Sequence, residues 1–388
     1  MVVNKIGPPV EGSDFFGREK EIDFAWKRLQ DGNHLILPAP RRVGKSSFAK
    51  KLMAIAREAG WDTLEINLEK VHNEPAFIEL FLEKLKGLSW WEKTKDRAAS
   101  LLNQIQAIKP TFTYGDAAVS IEWQRQKADV YSKISDLLDH GKNTLIFFDE
   151  LAVLLNSIVK AEKSKEQVEN YLHWLRSLRQ VSDTKIRWIF CSSVGIENFT
   201  YAHQLSNTIN DVHPYQLKAF DTLTSLKLLE ALEQSYQTPL TEEVRQGVLD
   251  KIGYLLPFFI QVLFGKIHEL ISLEQHPVNK ALVDQAYANI IEESHLNTWV
   301  ERLKEQYGDL ETDAFLLLRH ICQEKKGSKR SNLLDLLQHK HNDLDKAEDR
   351  LSTLLYMLKN DGYLMDEGGF YYFRSPLIRD FWHNRFVK

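Results

Sequence analysis

One segment constrains this chain more than any other: Ala39-Pro40-Arg41-Arg42-Val43-Gly44-Lys45-Ser46. It stands between a short apolar run, His34-Leu35-Ile36-Leu37, and a helical pattern over 46–59 that stops at Gly60. The run has the composition of a buried strand, and the glycine is a helix stop. Gly-Lys-Ser between such a strand and such a helix is the context of a phosphate-binding loop. Backbone N–H groups of the loop and of the first helical turn then point at one place, where the helix dipole favours an anion. Gly44 lets the backbone come close to phosphates, Lys45 reaches the β- and γ-phosphates, and the Ser46 hydroxyl serves a magnesium ion. The loop opens with Ala39 where the usual pattern has glycine, a methyl that fits while φ stays negative. Ala39, Arg42, Val43, Gly44, Lys45, Ser46 and Ser47 are the candidate nucleotide contacts.

Such a loop needs an acid at the end of a neighbouring buried strand. Thr144-Leu145-Ile146-Phe147-Phe148 runs into Asp149-Glu150 and supplies one. Asp149 is the candidate magnesium ligand, through water. Glu150 is placed to orient or deprotonate an attacking water, which turns the reading from binding towards hydrolysis. A further apolar run, 186–191, enters Ser192-Ser193. A hydroxyl there could touch the γ-phosphate or the water. Ser193 is the catalytic candidate beside Glu150 and Lys45, and the sequence does not separate it from Ser192.

The wider pattern agrees with a parallel sheet. An alternating strand pattern covers 61–68, Asn73-Glu74-Pro75 opens a helix, and helical patterns cover 126–139 and 166–179. Strand–helix alternation of this kind puts helices on both faces of a mostly parallel sheet. Residues 88–123 are less regular, with Trp90, Trp91, Pro110, Gly115 and an expected extended piece at Val119-Ser120-Ile121. The tryptophan pair reads as packing of this insertion rather than as a partner anchor. Beyond Leu217 the strand signals fade into helices at 221–234, 241–251, 258–273 and 279–291. Three helices at 311–324, 329–339 and 344–360, a hairpin at 363–372 turning on Gly368-Gly369, and a last helix at 376–386 make the pattern of a winged helix-turn-helix. At about 150 residues per domain, 388 residues suggest two or three domains. The expectation is an α/β P-loop core over 1–216, an all-helical lid over 217–300 and a winged-helix domain over 301–388.

Composition removes several classes. A net charge of −4 disfavours a globally basic nucleic-acid binder. Cys191 and Cys322 are too few and too far apart for a disulfide framework or a cysteine zinc site. The longest strongly apolar stretch, 254–264, is about 11 residues against the about 20 of a membrane span. The first residues lack the basic-then-apolar build of a signal peptide. A cytoplasmic, reducing compartment and no membrane association are expected. The histidines are scattered, and His339-Lys340-His341 reads as a solvated helix end.

Three further landmarks carry a resemblance. Phe15-Phe16-Gly17-Arg18-Glu19, Cys191-Ser192-Ser193-Val194-Gly195 and the Gly253…Pro257 turn, with the loop and the acid pair, resemble the archaeal-type P-loop ATPases of the STAND class, a branch of the AAA+-like NTPases. The resemblance covers nearly the whole chain. It implies ATP and Mg²⁺, with the base between the N-terminal segment (Gly17, Arg18) and the lid turn (Pro257). The expectation is a slow ATPase switch that moves lid and winged helix and acts on an unidentified protein partner, with a nucleotide-dependent oligomer left open. Arg176 and Arg179 are candidates for an arginine finger and Lys266 for a lid sensor. The alternatives are an ATP-dependent DNA-binding regulator or loader, and a nucleotide-bound scaffold without turnover. Sequence-specific DNA reading is disfavoured, because the third helix of the winged-helix pattern opens with Asp343, Asp345, Glu348 and Asp349 against Lys346 and Arg350.

Overall fold

The computed structural model describes residues 2–38, 40, 42–108, 117–138, 142–162, 165–192 and 195–388. They form two compact units, one of Lys20–Pro38 with Phe48–Gln216, the other of Met1–Glu19, Ala39–Ser47 and Leu217–Lys388.

The first unit is the α/β layer. In chain order it comprises α1 (Glu19–Gln30), β1 (Leu35–Ile36), α2 (Lys45–Glu58), β2 (Asp62–Asn67), α3 (Glu74–Leu85), α4 (Lys95–Ile108), α5 (Ala117–Leu138), β3 (Thr144–Asp149), α6 (Leu151–Glu162), α7 (Lys165–Arg179), β4 (Ile186–Phe190), α8 (Ile196–Ala202) and β5 (His213–Pro214). The strands lie in the order β2-β3-β4-β1-β5, every pair parallel. All six residues of β3 are buried, which is why that strand reads as an unbroken apolar run rather than an alternation. The register sets Asn67 beside Asp149, and Phe148 and Ile36 each beside Phe190. The carboxyl ends of β1, β3 and β4 therefore finish in neighbouring rows.

The expectation of an extended piece at Val119–Ile121 is wrong. These residues belong to the first turns of α5, and the irregular insertion also contains α4, which packs along α5. Three β-branched or small residues are too short a run to hold a strand when good helix formers, Ala117, Ala118 and Glu122, flank them. Spacing on α5 explains the rest. Trp123, Lys127 and Tyr131 recur every four residues on one face and converge on Glu74. Trp123 Nε1 donates at 3.2 Å, Lys127 Nζ at 2.8 Å and Tyr131 OH at 2.6 Å. Glu74 is buried, so each donor helps to offset the cost of desolvating its carboxylate. Trp90 is buried and Trp91 packs on the same core, in keeping with packing of the insertion. Pro110 and Gly115 lie outside the described residues.

The second unit is mostly helical. It holds α9 (Thr222–Tyr236), α10 (Glu242–Ile252), α11 (Pro257–Glu274), α12 (Lys280–Glu292), α13 (Asn297–Gln306), α14 (Glu311–Ile321), β6 (Ser328–Lys329), α15 (Arg330–His341), α16 (Leu344–Asn360), β7 (Leu364–Glu367), β8 (Phe370–Phe373) and α17 (Pro376–Phe386). Side-chain caps start four of these helices: Asp221, Thr241, Asn279 and Asp343 each accept from the backbone N–H three residues on. Caps of this kind contribute about 1 kcal/mol each. Gly253, at φ +63°, ends α10, and Pro257 opens α11. The strands form an antiparallel sheet in the order β6-β8-β7. Arg302 of α13 is fully buried and donates to Asp361 at 2.9 Å, and Tyr307 donates to the same carboxylate at 2.8 Å. These bonds tie α13 to the corner between α16 and β7.

Candidate functional site

The phosphate-loop segment follows β1 and runs into α2. Gly44 has φ +98°, and a Cβ there would meet nothing within 4 Å. Backbone conformation, not crowding, therefore demands glycine at this position. Arg42 takes φ +68° without being glycine. Its guanidinium donates to the Gly7 carbonyl at 3.3 Å and lies 4.4 Å from the ring centre of Phe258, one residue after Pro257. Lys45 is buried, and its Nζ donates to the Pro40 carbonyl at 3.1 Å, which holds the ammonium inside the curve of the loop. Ser46 stands partly buried in the first turn of α2, and Ser47 Oγ accepts from the Val10 N–H at 3.0 Å. Ala39 lies outside the described residues.

The segment at 15–19 braces this loop from one side. Arg18 is buried; it donates to the Val43 carbonyl at 3.0 Å and the Lys218 carbonyl at 2.9 Å, and it stacks on Phe220. Gly17, at φ +73°, has no room for a side chain, since a Cβ would come to 2.6 Å from Thr224 Cγ2. A contact with no sequence signal comes from the α16–β7 corner. Gly362, at φ +85°, abuts the loop so closely that a Cβ would sit 2.5 Å from Pro40 Cβ.

The α/β unit carries the acids. Asp149 is the last residue of β3 and is buried. The Leu68 N–H donates to its carbonyl at 2.9 Å, while the Cys191 N–H donates to Phe148 and the Leu37 N–H to Phe190, both at 2.9 Å. Glu150 leaves the strand at φ +60°, its N–H bonded to Asp149 Oδ1 at 3.1 Å. Ser192 Oγ donates to Glu150 Oε2 at 3.1 Å. The structure thus joins two sequence candidates, while Ser193 lies outside the described residues. Gln237, Gln275 and Asn342 also have positive φ, but each caps a helix, where that conformation is common. Asp183 and Gln204 adopt it within turns, Arg42 adopts it in the loop, and Glu150 adopts it at the residue before α6, where its carbonyl accepts from the Val153 N–H at 3.0 Å. A left-handed non-glycine residue costs about 1 to 3 kcal/mol and concentrates at functional sites.

The remaining candidates are engaged within their own units. Arg179 is buried and makes a two-pronged pair with Asp211 at 2.8 and 2.9 Å. Arg176 reaches the Asn207 carbonyl and lies 4.0 Å from Asp211. Lys266 pairs with Glu269 at 2.7 Å and Glu293 at 2.5 Å. Among the described residues there is no group of three or more histidine, cysteine, aspartate or glutamate side chains fit to hold a metal by itself. No described helix is long and apolar enough to cross a membrane.

No family model and no curated protein matches the sequence. Over nearly its whole length the structure, a parallel-sheet α/β core with many helices, is nevertheless similar to solved structures. It is similar to a Walker-type ATPase of Pyrococcus abyssi, with a TM-score of 0.65 at 16% identity, covering 98% of this chain and 99% of that one. It is also similar to the ORC2 protein of Aeropyrum pernix, solved in ADPNP–ADP complexes, with a TM-score of 0.52 at 14% identity over 99% and 97% of the two chains. At these identities the likeness is one of fold.

Proposed function

We propose that this chain is an ATP-binding and ATP-hydrolysing switch of the STAND-like kind, in which the phosphate loop and the acid pair serve one nucleotide. The observation that carries the reading is the order of the strands. The loop continues β1, β1 lies beside β4, and β4 lies beside β3, whose end bears Asp149 and Glu150. In open α/β sheets ligands bind outside the carboxyl ends of the strands. In this reading the N–H groups of the loop and of the start of α2 hold the phosphates, with Lys45 matching their charge. The Ser46 hydroxyl and the Asp149 carboxylate are oxygen donors suited to Mg²⁺, which would supply charge neutralisation at the β- and γ-phosphates. Glu150 orients the attacking water and takes its proton. The Ser192–Glu150 hydrogen bond supports giving Ser192 the sensor role that the sequence left between Ser192 and Ser193. Gly17, Arg18 and Pro257 line the route to the base.

Coupling is the second half of the proposal. The 1–216, 217–300 and 301–388 segments act as core, lid and winged helix. Within the helical unit the loop is touched by Gly7 and Val10, by Phe258 of α11 and by Gly362 after α16. A change in the loop on binding or hydrolysis therefore pushes on three segments at once. The outward residues of α16 include Asp345, Asp349, Ser352 and Tyr356, a face that suits a protein partner better than a phosphate backbone. A second reading, a DNA-associated regulator or loader, draws on Lys325, Lys326 and Lys329, all exposed, with Lys329 over the Phe370 ring. Steady-state hydrolysis with Glu150→Gln tests the enzymatic claim. ATP should still bind while turnover falls about 10²- to 10⁴-fold. Turnover at the wild-type rate would reduce Glu150 to a structural turn residue.

A further inference from the structure

Helix α14 carries more apolar surface than its own core uses. Ala314, Leu317, Leu318 and Ile321 are buried, whereas Thr312, Phe315, Leu316 and Arg319 recur at helical spacing on the opposite face, which is only partly covered. Phe315 packs on Trp382 and Phe386 of α17, with ring centres 5.7 and 5.6 Å apart. Between them lies an open groove of about 380 Å³, lined by Thr312, Phe315, Leu316 and Arg319 of α14, Lys340 of α15 and Phe386 of α17. All of these residues belong to the helical unit. The volume is at the small end of the range for ligand pockets, about 300 to 1,000 Å³, which is room for one side chain and its flanks.

The floor of the groove is apolar and its charges are of one sign. Arg319 and Lys340 line it, and no described carboxylate does. The exposed Arg319 makes no ion pair among the described residues. Lys340 reaches the buried Asp313 carboxylate at 2.6 Å but shares it with His341, at 2.9 Å, and with Arg350. An occupant that matches this lining brings an apolar side chain flanked by acids. The chain itself carries such a segment. Among its exposed large apolar side chains only Leu344, 52% exposed, has an acid on each side, and both Asp343 and Asp345 are exposed. Leu344 opens α16 and does not line its own groove. It stands four residues after Lys340, across the turn at Asn342. Four residues span at most about 14 Å, so knob and groove on one copy are close enough to meet the same neighbour. That is what a two-fold pair requires, in which residue i of each copy meets residue j of the other.

We propose that the groove between α14 and α17 is a self-association surface that takes Asp343-Leu344-Asp345 of a second copy, with Leu344 on Phe315 and Phe386 and the acids towards Arg319 and Lys340. Sedimentation velocity of the full chain without nucleotide tests it, so that its failure and that of the ATP reading stay separate. Concentrations of about 1 to 100 µM suit a contact smaller than a standard interface. Wild type should form dimers that added salt weakens, because the paired charges lie at an exposed rim. Arg319→Glu and Asp345→Lys should each weaken pairing about tenfold or more by setting like charges together. Leu344→Ser should weaken it about tenfold through lost apolar burial. These positions are exposed, and thermal melts confirm that the variants fold. Mixing Arg319→Glu with Asp345→Lys should restore pairing near wild-type strength, since one contact then carries both reversed charges and the other carries neither. A wild type that stays monomeric throughout overturns the proposal. Dimers that all three variants leave intact overturn it too and place self-association on another surface. Pairing lost in the single variants and not recovered on mixing overturns the assigned contact.

Discussion

Acidification should loosen the sheet at the foot of β1, and His34 is the reason. This residue precedes β1 and is 6% exposed. The Trp188 backbone N–H points at its Nδ1 from 3.3 Å, so Nδ1 must accept. The proton therefore sits on Nε2, 3.2 Å from the Arg179 carbonyl. A second proton would meet the Trp188 N–H head on. Burial pushes the His34 pKa down, helped by the nearby Arg179 and Arg187 charges, from its ordinary 6.5 to about 4. Between those values the unfolded chain binds a proton that the folded chain refuses, so stability rises with pH across the window and is lost as pH falls through it. The whole difference is worth about 3 kcal/mol, and about 2 kcal/mol of it is lost on going from pH 7 to pH 5. Denaturant unfolding of wild type and His34→Gln at the two pH values isolates this contribution, because the other histidines titrate alike in both. The stability gap between wild type and variant should narrow or reverse by about 2 kcal/mol at pH 5. Parallel pH dependence, or a native-state NMR midpoint for His34 near 6.5, would refute the reasoning.

Other consequences follow from single contacts. Gly362→Ala places a methyl against Pro40 at a backbone conformation that disfavours side chains. It should lower stability by about 1 kcal/mol or more and change ATP affinity although Gly362 lies outside the 39–47 loop; unchanged affinity in a folded variant would separate the α16–β7 corner from the loop. Asp361→Ala strands the fully buried Arg302 charge and should cost about 3 to 5 kcal/mol in unfolding free energy, whereas a loss under 1 kcal/mol would mean that Arg302 finds water. Duplex DNA should bind only in a salt-sensitive, sequence-independent manner; sequence-specific affinity tighter than about 10⁻⁸ M, lost when α16 is altered, would favour the regulator reading.

What could be read from the residues was whatever local chemistry determines. The β3 run, the Asn73-Glu74-Pro75 helix start and the Gly253…Pro257 break each carry their own stop or start signal within a few residues, and each appears where it was expected. The α5 start was misread because Val119-Ser120-Ile121 is too short a run to outweigh the helix formers on either side of it, while the contacts of Trp123, Lys127 and Tyr131 with Glu74 lie too far apart in sequence to leave a pattern. Strands β5 and β6 are two residues each, too short for any periodicity to register. At the site, the Gly-Lys-Ser loop and Asp149-Glu150 were visible as motifs. The Ser192 hydrogen bond to Glu150 and the approach of Gly362 to Pro40 were not, because contacts across such sequence separations leave no pattern in one chain. Arg18 shows the same limit. Its motif position was legible, but its bonds to the Val43 and Lys218 carbonyls were not.

The most direct measurement is a calorimetric titration of ATP with Mg²⁺ into wild type and Lys45→Ala, with thermal melts confirming that both are folded. Lys45 is the buried cation of the phosphate loop, held against the Pro40 carbonyl. Wild type should bind, and removing the ammonium should weaken binding by at least about thirtyfold, as expected when one partner of a desolvated charge pair is truncated. Equal affinity in the two proteins, or no binding by a folded wild type, would contradict the assignment of 39–47 as a nucleotide-phosphate loop.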